Sequence, residues 1–206
     1  MQNSEVKNDV VNVATVESSD QARRAAFYSL LAGLLRNAPD ADVLAYCLSL
    51  DTTDQKSELG AAINTLVLAA KHSDPQRLKE EFHELFIGLG RGELVPYGSW
   101  YQTGFLMERP LGQLRADLAK LGFERSDDVH EPEDHIAALM EVMAMLIYEG
   151  APQEQQQLFF ETHISSWAKD FMKDLSVAET ATFYRSVARL GSAFVAIESQ
   201  YLNLTA

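Results

Sequence analysis

Apolar positions recur at three- and four-residue steps along most of this 206-residue chain, the pattern of helices that bury one face. Phe27, Leu30, Leu31, Leu34 and Leu35 form the first stripe. Ser18-Ser19-Asp20, a run of good N-cap residues, precedes it, and the turn-forming Asn37-Ala38-Pro39-Asp40 ends it. Residues 1–17 show no helical face and read as a flexible or loosely docked tail. A short helix with Val43, Leu44, Cys47 and Leu48 follows, then a stripe of Leu59, Ile63, Leu66, Val67 and Ala70. Asp74-Pro75 is a capped helix start with proline at the first helical position, and Leu78, Phe82, Leu85, Phe86 and Leu89 share one face behind it.

Gly88, Gly90 and Gly92 loosen the chain ahead of Pro96-Tyr97-Gly98-Ser99-Trp100-Tyr101. This aromatic loop reads as a mobile, peptide-facing surface, with burial of the same rings as the competing reading. Pro110 opens a helix carrying Leu111, Leu114, Leu118 and Leu121, and the acidic stretch from Phe123 to His130 reads as a hinge. Glu131-Pro132-Glu133-Asp134-His135 then opens the most apolar helix, Ile136 through Tyr148, with Pro132 at its first position and Glu133 and Asp134 at its positive end. Capping accounts for those three residues but not for His135, a poor helix former. A Gln-rich helix ends near His163, and Trp167, Phe171 and Leu175 mark another. Ser176-Val177-Ala178-Glu179 reads as a capping box for a last helix whose seam is Phe183, Val187, Leu190, Phe194, Ile197 and Tyr201. There is no two-residue alternation and no internal repeat. The fold class is therefore all-α, a single-domain helical bundle over residues 18–206, with its main core from segments 74–89, 110–121, 132–149 and 176–201.

A hydrophobic content of 47% is ample for a packed core. The formal net charge of -13 and pI near 4.7 argue against nucleic acid and anionic membrane as partners and favour basic ones. Cys47 is the one cysteine, so no internal disulfide forms, which suits a reducing compartment. The N-terminus, with Glu5 and Asp9, lacks a secretory pattern, and no stretch reaches the ~18 apolar residues of a spanning helix. A cytoplasmic protein without membrane insertion is expected.

Catalytic chemistry finds little support. His83-Glu84 suggests the zinc-protease pattern, but Ile87 stands where its second histidine is needed. The glycines lack a preceding strand and a Gly-Lys-Ser/Thr ending, so no phosphate cradle is indicated. Glu131 and His135 could share a helix face, yet His130 is the only near addition, too few ligands for a stable metal site. Cys47 has no local activating partner and no serine sits in a nucleophile elbow, so no catalytic residue is assigned. Binding is better served, by an Asp134-His135 pair at a groove mouth above an apolar floor of Leu85, Phe86, Tyr97 and Tyr101. A small helical nucleotide- or metal-dependent enzyme is the alternative class.

Three motifs occur in order: Phe82-His83-Glu84-Leu85-Phe86-Ile87-Gly88, Pro96-Tyr97-Gly98-Ser99 and Glu131-Pro132-Glu133-Asp134-His135. Together with the closing region His163 to Leu204, they make residues 20 to 204 resemble the TorD/DmsD family of cytoplasmic chaperones for molybdenum-containing oxidoreductases. The resemblance implies a TorD-like helical bundle without catalytic activity. Its partners would be a twin-arginine signal peptide and the apo form of a molybdopterin-dependent catalytic subunit, of the DMSO/TMAO reductase or formate dehydrogenase type. Such a chaperone assists cofactor insertion and delays export. The implied signal-peptide-binding residues are Phe82, Leu85, Phe86, Pro96, Tyr97, Ser99, Tyr101, Glu131, Pro132, Asp134 and His135. Tyr97 stands where some members carry Trp, which alters the shape of the peptide pocket. Some members bind GTP, but with no phosphate signature here no cofactor is expected. The family also exchanges helices between chains, so a monomer or a domain-swapped dimer is expected, with segments 88–104 and 123–130 as the connections.

Overall fold

The computed structural model describes residues 2–124 and 131–204, with side chains from Ser19 onward. The part of the expected hinge over residues 125–130, including His130, lies outside the described residues. Among the described residues there are ten α-helices: α1 (Gln2–Arg36), α2 (Ala41–Leu48), α3 (Glu58–Lys71), α4 (Pro75–Phe82), α5 (Gly98–Thr103), α6 (Arg109–Lys120), α7 (Ile136–Tyr148), α8 (Gln153–Phe160), α9 (Ala168–Val177) and α10 (Tyr184–Leu204). Short π-helical turns extend α4 over His83–Ile87 and α8 over Glu161–Ser165. Among the described residues there is no strand, and the extended pairing is confined to one antiparallel bridge between Tyr97 and His135. The all-α expectation holds.

Helix α7 is the centre of the bundle. Ile136, Ala137, Leu139, Met140, Val142, Met143, Ala144, Leu146 and Ile147 are all buried, so most of its circumference is covered, as a sequence apolar at all but Glu141 requires. Its most extensive partner is α1, while α10 packs mainly on α9 and α3. Several helix starts follow directly from local sequence. Asp40 accepts the N–H groups of Asp42 and Val43, Ser57 that of Gly60, and Asp74 those of Gln76 and Arg77 with Pro75 beside it.

Other boundaries differ from expectation. Helix α1 runs unbroken from Gln2 through Ser18-Ser19-Asp20, so the boundary expected near residue 17 falls inside a helix. Leu89 is fully exposed, because Gly88, at φ +60 and ψ -179, ends the helix before it. That backbone region is open to glycine alone, and a Cβ at Gly88 would come within 2.1 Å of the Arg91 carbonyl oxygen. The Ser176 capping box is unused, since α9 continues through Val177 and Ser176 Oγ donates back to the Lys173 carbonyl. Glu81, about a hundred residues away in sequence, caps α10 instead: its carboxylate accepts the N–H groups of Thr182, Phe183 and Tyr184 at 2.7, 3.2 and 2.9 Å.

The seam of α10 also departs from the apolar pattern. Ile197 is 42% exposed, and Glu198 is buried in its stead. Arg24 on α1 donates Nε to both Glu198 oxygens at 3.1 and 3.0 Å, Nη2 to Oε1, and Nη1 to Gln156 Oε1 at 3.0 Å. Its guanidinium lies over the Tyr201 ring, 4.3 Å from the centroid. A buried acid is tolerable here because its charge is matched by a forked donor.

Candidate functional site

The second and third sequence motifs meet through their backbones. Gly98 N–H donates to the Asp134 carbonyl and Ile136 N–H to the Pro96 carbonyl, both at 2.9 Å, which brackets the Tyr97–His135 bridge. The extended backbone at His135, φ -63 and ψ 135, is what this pairing demands. Pro132, Glu133 and Asp134 therefore precede α7 rather than opening it, a correction to the expected helix start. The N-cap is His135 itself, whose Nδ1 accepts the Ala137 N–H at 3.1 Å.

Asp134 is 3% exposed, and its Oδ2 accepts the Ser99 N–H at 2.7 Å. It caps α5, not α7. Asp134 Oδ1 and Ser99 Oγ are buried and have no hydrogen-bond partner among the described residues. His135 is 5% exposed. Burial holds its pKa down to about 4, and nearby Arg36 adds to the effect against the opposing pull of Glu131 and Asp134. Neutral His135, with Nδ1 engaged as acceptor, carries its proton on Nε2, which lies 3.9 Å from Glu131 Oε1. Its ring meets Tyr97 edge-on, with centroids 5.1 Å apart.

Tyr97 and Glu131 form the solvent side of this junction. Tyr97 Oη donates to Glu131 Oε1 at 3.1 Å, and burial with the adjacent carboxylate pushes the phenol pKa up, so Tyr97 is a donor at neutral pH. Arg36, from the end of α1, donates Nη1 to Glu131 Oε2 and forks onto Glu141 through Nε and Nη2 at 3.3 and 2.7 Å. Arg115 of α6 donates Nε and Nη2 to Glu133 Oε2 at 3.0 and 2.9 Å. Neither arginine was indicated by local spacing.

The remaining candidates lie elsewhere. Phe82 and Phe86 pack together and on Tyr184, with centroids 5.0 to 6.0 Å apart. Leu85 is wholly buried, so it offers no floor to a groove. The first motif is tied to the segment leading into the second by Leu94 N–H donating to the Leu85 carbonyl at 2.8 Å. Pro96 is buried, Pro132 half-buried. Tyr101 stacks on Trp167, meets Phe171 edge-on and donates its hydroxyl to Asp174 at 3.0 Å. Gly98 seats against the Trp167 indole, where a Cβ would lie 3.1 Å from Nε1. The aromatic stretch expected to be a mobile loop is thus anchored by backbone bonds, folded into α5 and half-buried against α9.

This geometry positions rather than reacts. Asp134 bonds the Ser99 backbone, and His135 spends one nitrogen on its own helix and turns the other to Glu131, so no base is aligned on the Ser99 hydroxyl. Cys47 is buried and its thiol pKa is pushed up to about 11, an inert setting. Among the described residues, no group of three or more His, Cys, Asp or Glu is placed to hold a metal ion, and no helix is long and apolar enough to cross a membrane. The class defined by fold and site is an all-helical scaffold with an acidic rim.

Residues 52–173 match the model of the family described as nitrate reductase delta subunit. The chain is 29% identical over 165 residues to the chaperone protein TorD of Vibrio atlanticus, covering 72% of this chain and 77% of that one. It is 27% identical over 199 residues to the chaperone protein TorD of Shewanella loihica, covering 91% and 83%. A crystal structure from Archaeoglobus fulgidus, described as a candidate redox enzyme maturation protein, superposes with a TM-score of 0.54 at 20% identity, covering 85% of this chain and 93% of that one. The chain belongs to the nitrate reductase delta subunit family, as one of its TorD-type chaperones for molybdoenzymes. Its role is a chaperone's, not an enzyme's.

Proposed function

We propose that this molybdoenzyme-maturation chaperone binds the twin-arginine signal peptide of its apo client in the cytoplasm, holding the client back from export until the cofactor is inserted. The observation that carries the reading is the junction of Pro96–Ser99 with Glu131–His135. A rigid backbone pairing there presents Tyr97 and the Glu131 carboxylate at the surface, beside Glu133 and Glu141. A leader with adjacent arginines followed by an apolar segment complements such a rim, and a net charge of -13 steers it in. Buried Asp134, His135 and Ser99 shape the site from behind. Binding needs no nucleotide, and the chaperone acts as a monomer or as a dimer that exchanges helices. Co-purification tests the reading: a reporter fused to a twin-arginine leader should be retained by the full chain, and the same leader with both arginines changed to glutamine should be lost. Equal retention of both would overturn it.

A further inference from the structure

We propose that the cleft between α6 and α7 receives the arginine-bearing part of the leader, and that Arg36 and Arg115 occupy its carboxylates until the ligand's guanidinium groups displace them. This rests on the leader-binding reading above, and adds where the arginines seat and what they compete with.

The cleft measures about 350 Å³ and is floored by Leu118, Phe123, Val142 and Met145. That volume is at the small end for ligand sites and accommodates a few side chains rather than a whole helix. Its rim carries Glu124, Glu131, Glu133 and Glu141. Glu131 connects it to the Tyr97–His135 junction, giving one oxygen to Tyr97 and the other to Arg36. An apolar floor beneath carboxylates suits a guanidinium next to an aliphatic side chain.

What the rim recognises is visible in its own contacts. Arg36 spans Glu131 and Glu141, and Arg115 places two N–H groups on Glu133. Both contacts use the planar fork that distinguishes arginine from lysine. Four carboxylates face two arginines, so the rim stays net negative with both in place. The two differ in hold: the Arg36 side chain is 26% exposed and bridges two acids, whereas Arg115 is 50% exposed and engages one. Glu133 is only 16% exposed, but one acid holds Arg115 against two for Arg36, and the Arg115 guanidinium is the more open of the two to an incoming ligand. Arg115 is therefore the gatekeeper that a ligand arginine replaces first.

Fluorescence anisotropy on the full chain tests this, with a labelled synthetic peptide of two adjacent arginines followed by leucine-rich sequence, and the same peptide with two lysines. Arg115→Gln should tighten the arginine peptide at least roughly threefold beyond Arg77→Gln, which makes the same charge change on α4 outside the cleft. The lysine peptide should gain less from Arg115→Gln. Met145→Lys, at a position 39% exposed, puts a cation into the apolar floor and should weaken binding about tenfold. If it fails to fold, the Arg115 and Arg77 comparison decides alone. Binding by the wild type with Arg115→Gln and Arg77→Gln equivalent would overturn the cleft assignment and leave the leader-binding reading standing. A cleft used for self-association, shown by loss of a dimer in Met145→Lys on light scattering, would overturn it likewise. No binding of either peptide to the wild type would remove both.

Discussion

Asp134 accepts the backbone N–H of Ser99 at 2.7 Å, tying the start of α5 to the residue before the α7 cap. Because both groups are buried, the bond is structural. Asp134→Ala should lower unfolding free energy by about 1–2 kcal/mol, the scale of a lost cap and an orphaned buried donor. Urea denaturation measures it. Stability equal to wild type would show that Ser99 finds another acceptor.

His135 makes stability depend on pH. Its folded pKa of about 4 lies below the unfolded value near 6.5. The unfolded chain therefore takes up a proton first, so the stabilisation is complete above about pH 6.5, lost as pH falls towards 4, and flat below. The difference amounts to about 3 kcal/mol at full extent. His135→Asn retains an acceptor for the Ala137 N–H but does not titrate, and its stability difference from wild type should shrink steadily between pH 6.5 and 4. A constant offset across that range in paired thermal melts would contradict the assignment.

Glu198 is held by Arg24 where an apolar residue was expected. Glu198→Ala strands a buried guanidinium and should cost about 3–5 kcal/mol. The double variant Arg24→Met, Glu198→Leu should recover most of that loss. Denaturant titration of the two variants checks it, and a double variant no better than Glu198→Ala would mean the pair supports specific packing beyond charge.

Gly88→Ala should lower Tm by several degrees, because its backbone conformation excludes a side chain and the Cβ meets the Arg91 carbonyl. Gly90→Ala serves as comparison: it also has positive φ, but nothing lies within 4 Å of its Cβ. Equal melting of the two variants would refute the steric part of this account.

What could be read from sequence was what depends on neighbours along the chain. The stripes of α3, α6 and α7 and the cap at Asp74 all follow from spacing of a few residues, and Asp40, read as part of a turn, also caps α2. The meeting of Pro96–Ser99 with Glu131–His135 was legible only as motifs in order, since no periodicity reveals a single bridge. Pro132 pointed to a helix start, yet the bridge to Tyr97 keeps His135 extended and passes the first N–H groups of α7 to Pro96 and to the imidazole. Arg36, Arg24 with Glu198, and the Glu81 cap of α10 join residues about a hundred or more positions apart. Local pattern carries no signal for such pairs. Leu85 illustrates the converse: it lies in a recognition motif, and its burial shows that part of that motif holds the scaffold together.

The central claim is recognition of paired arginines by the acidic rim, and isothermal titration calorimetry of a leader peptide into the full chain tests it most directly. The peptide carries two adjacent arginines followed by about ten apolar residues, and is compared with a copy bearing two glutamines, each at low and high salt. The account predicts one-to-one binding of the arginine peptide, weakened but not abolished as salt rises, and much weaker binding of the glutamine copy. Equal affinity for both peptides, or affinity indifferent to salt, would contradict it.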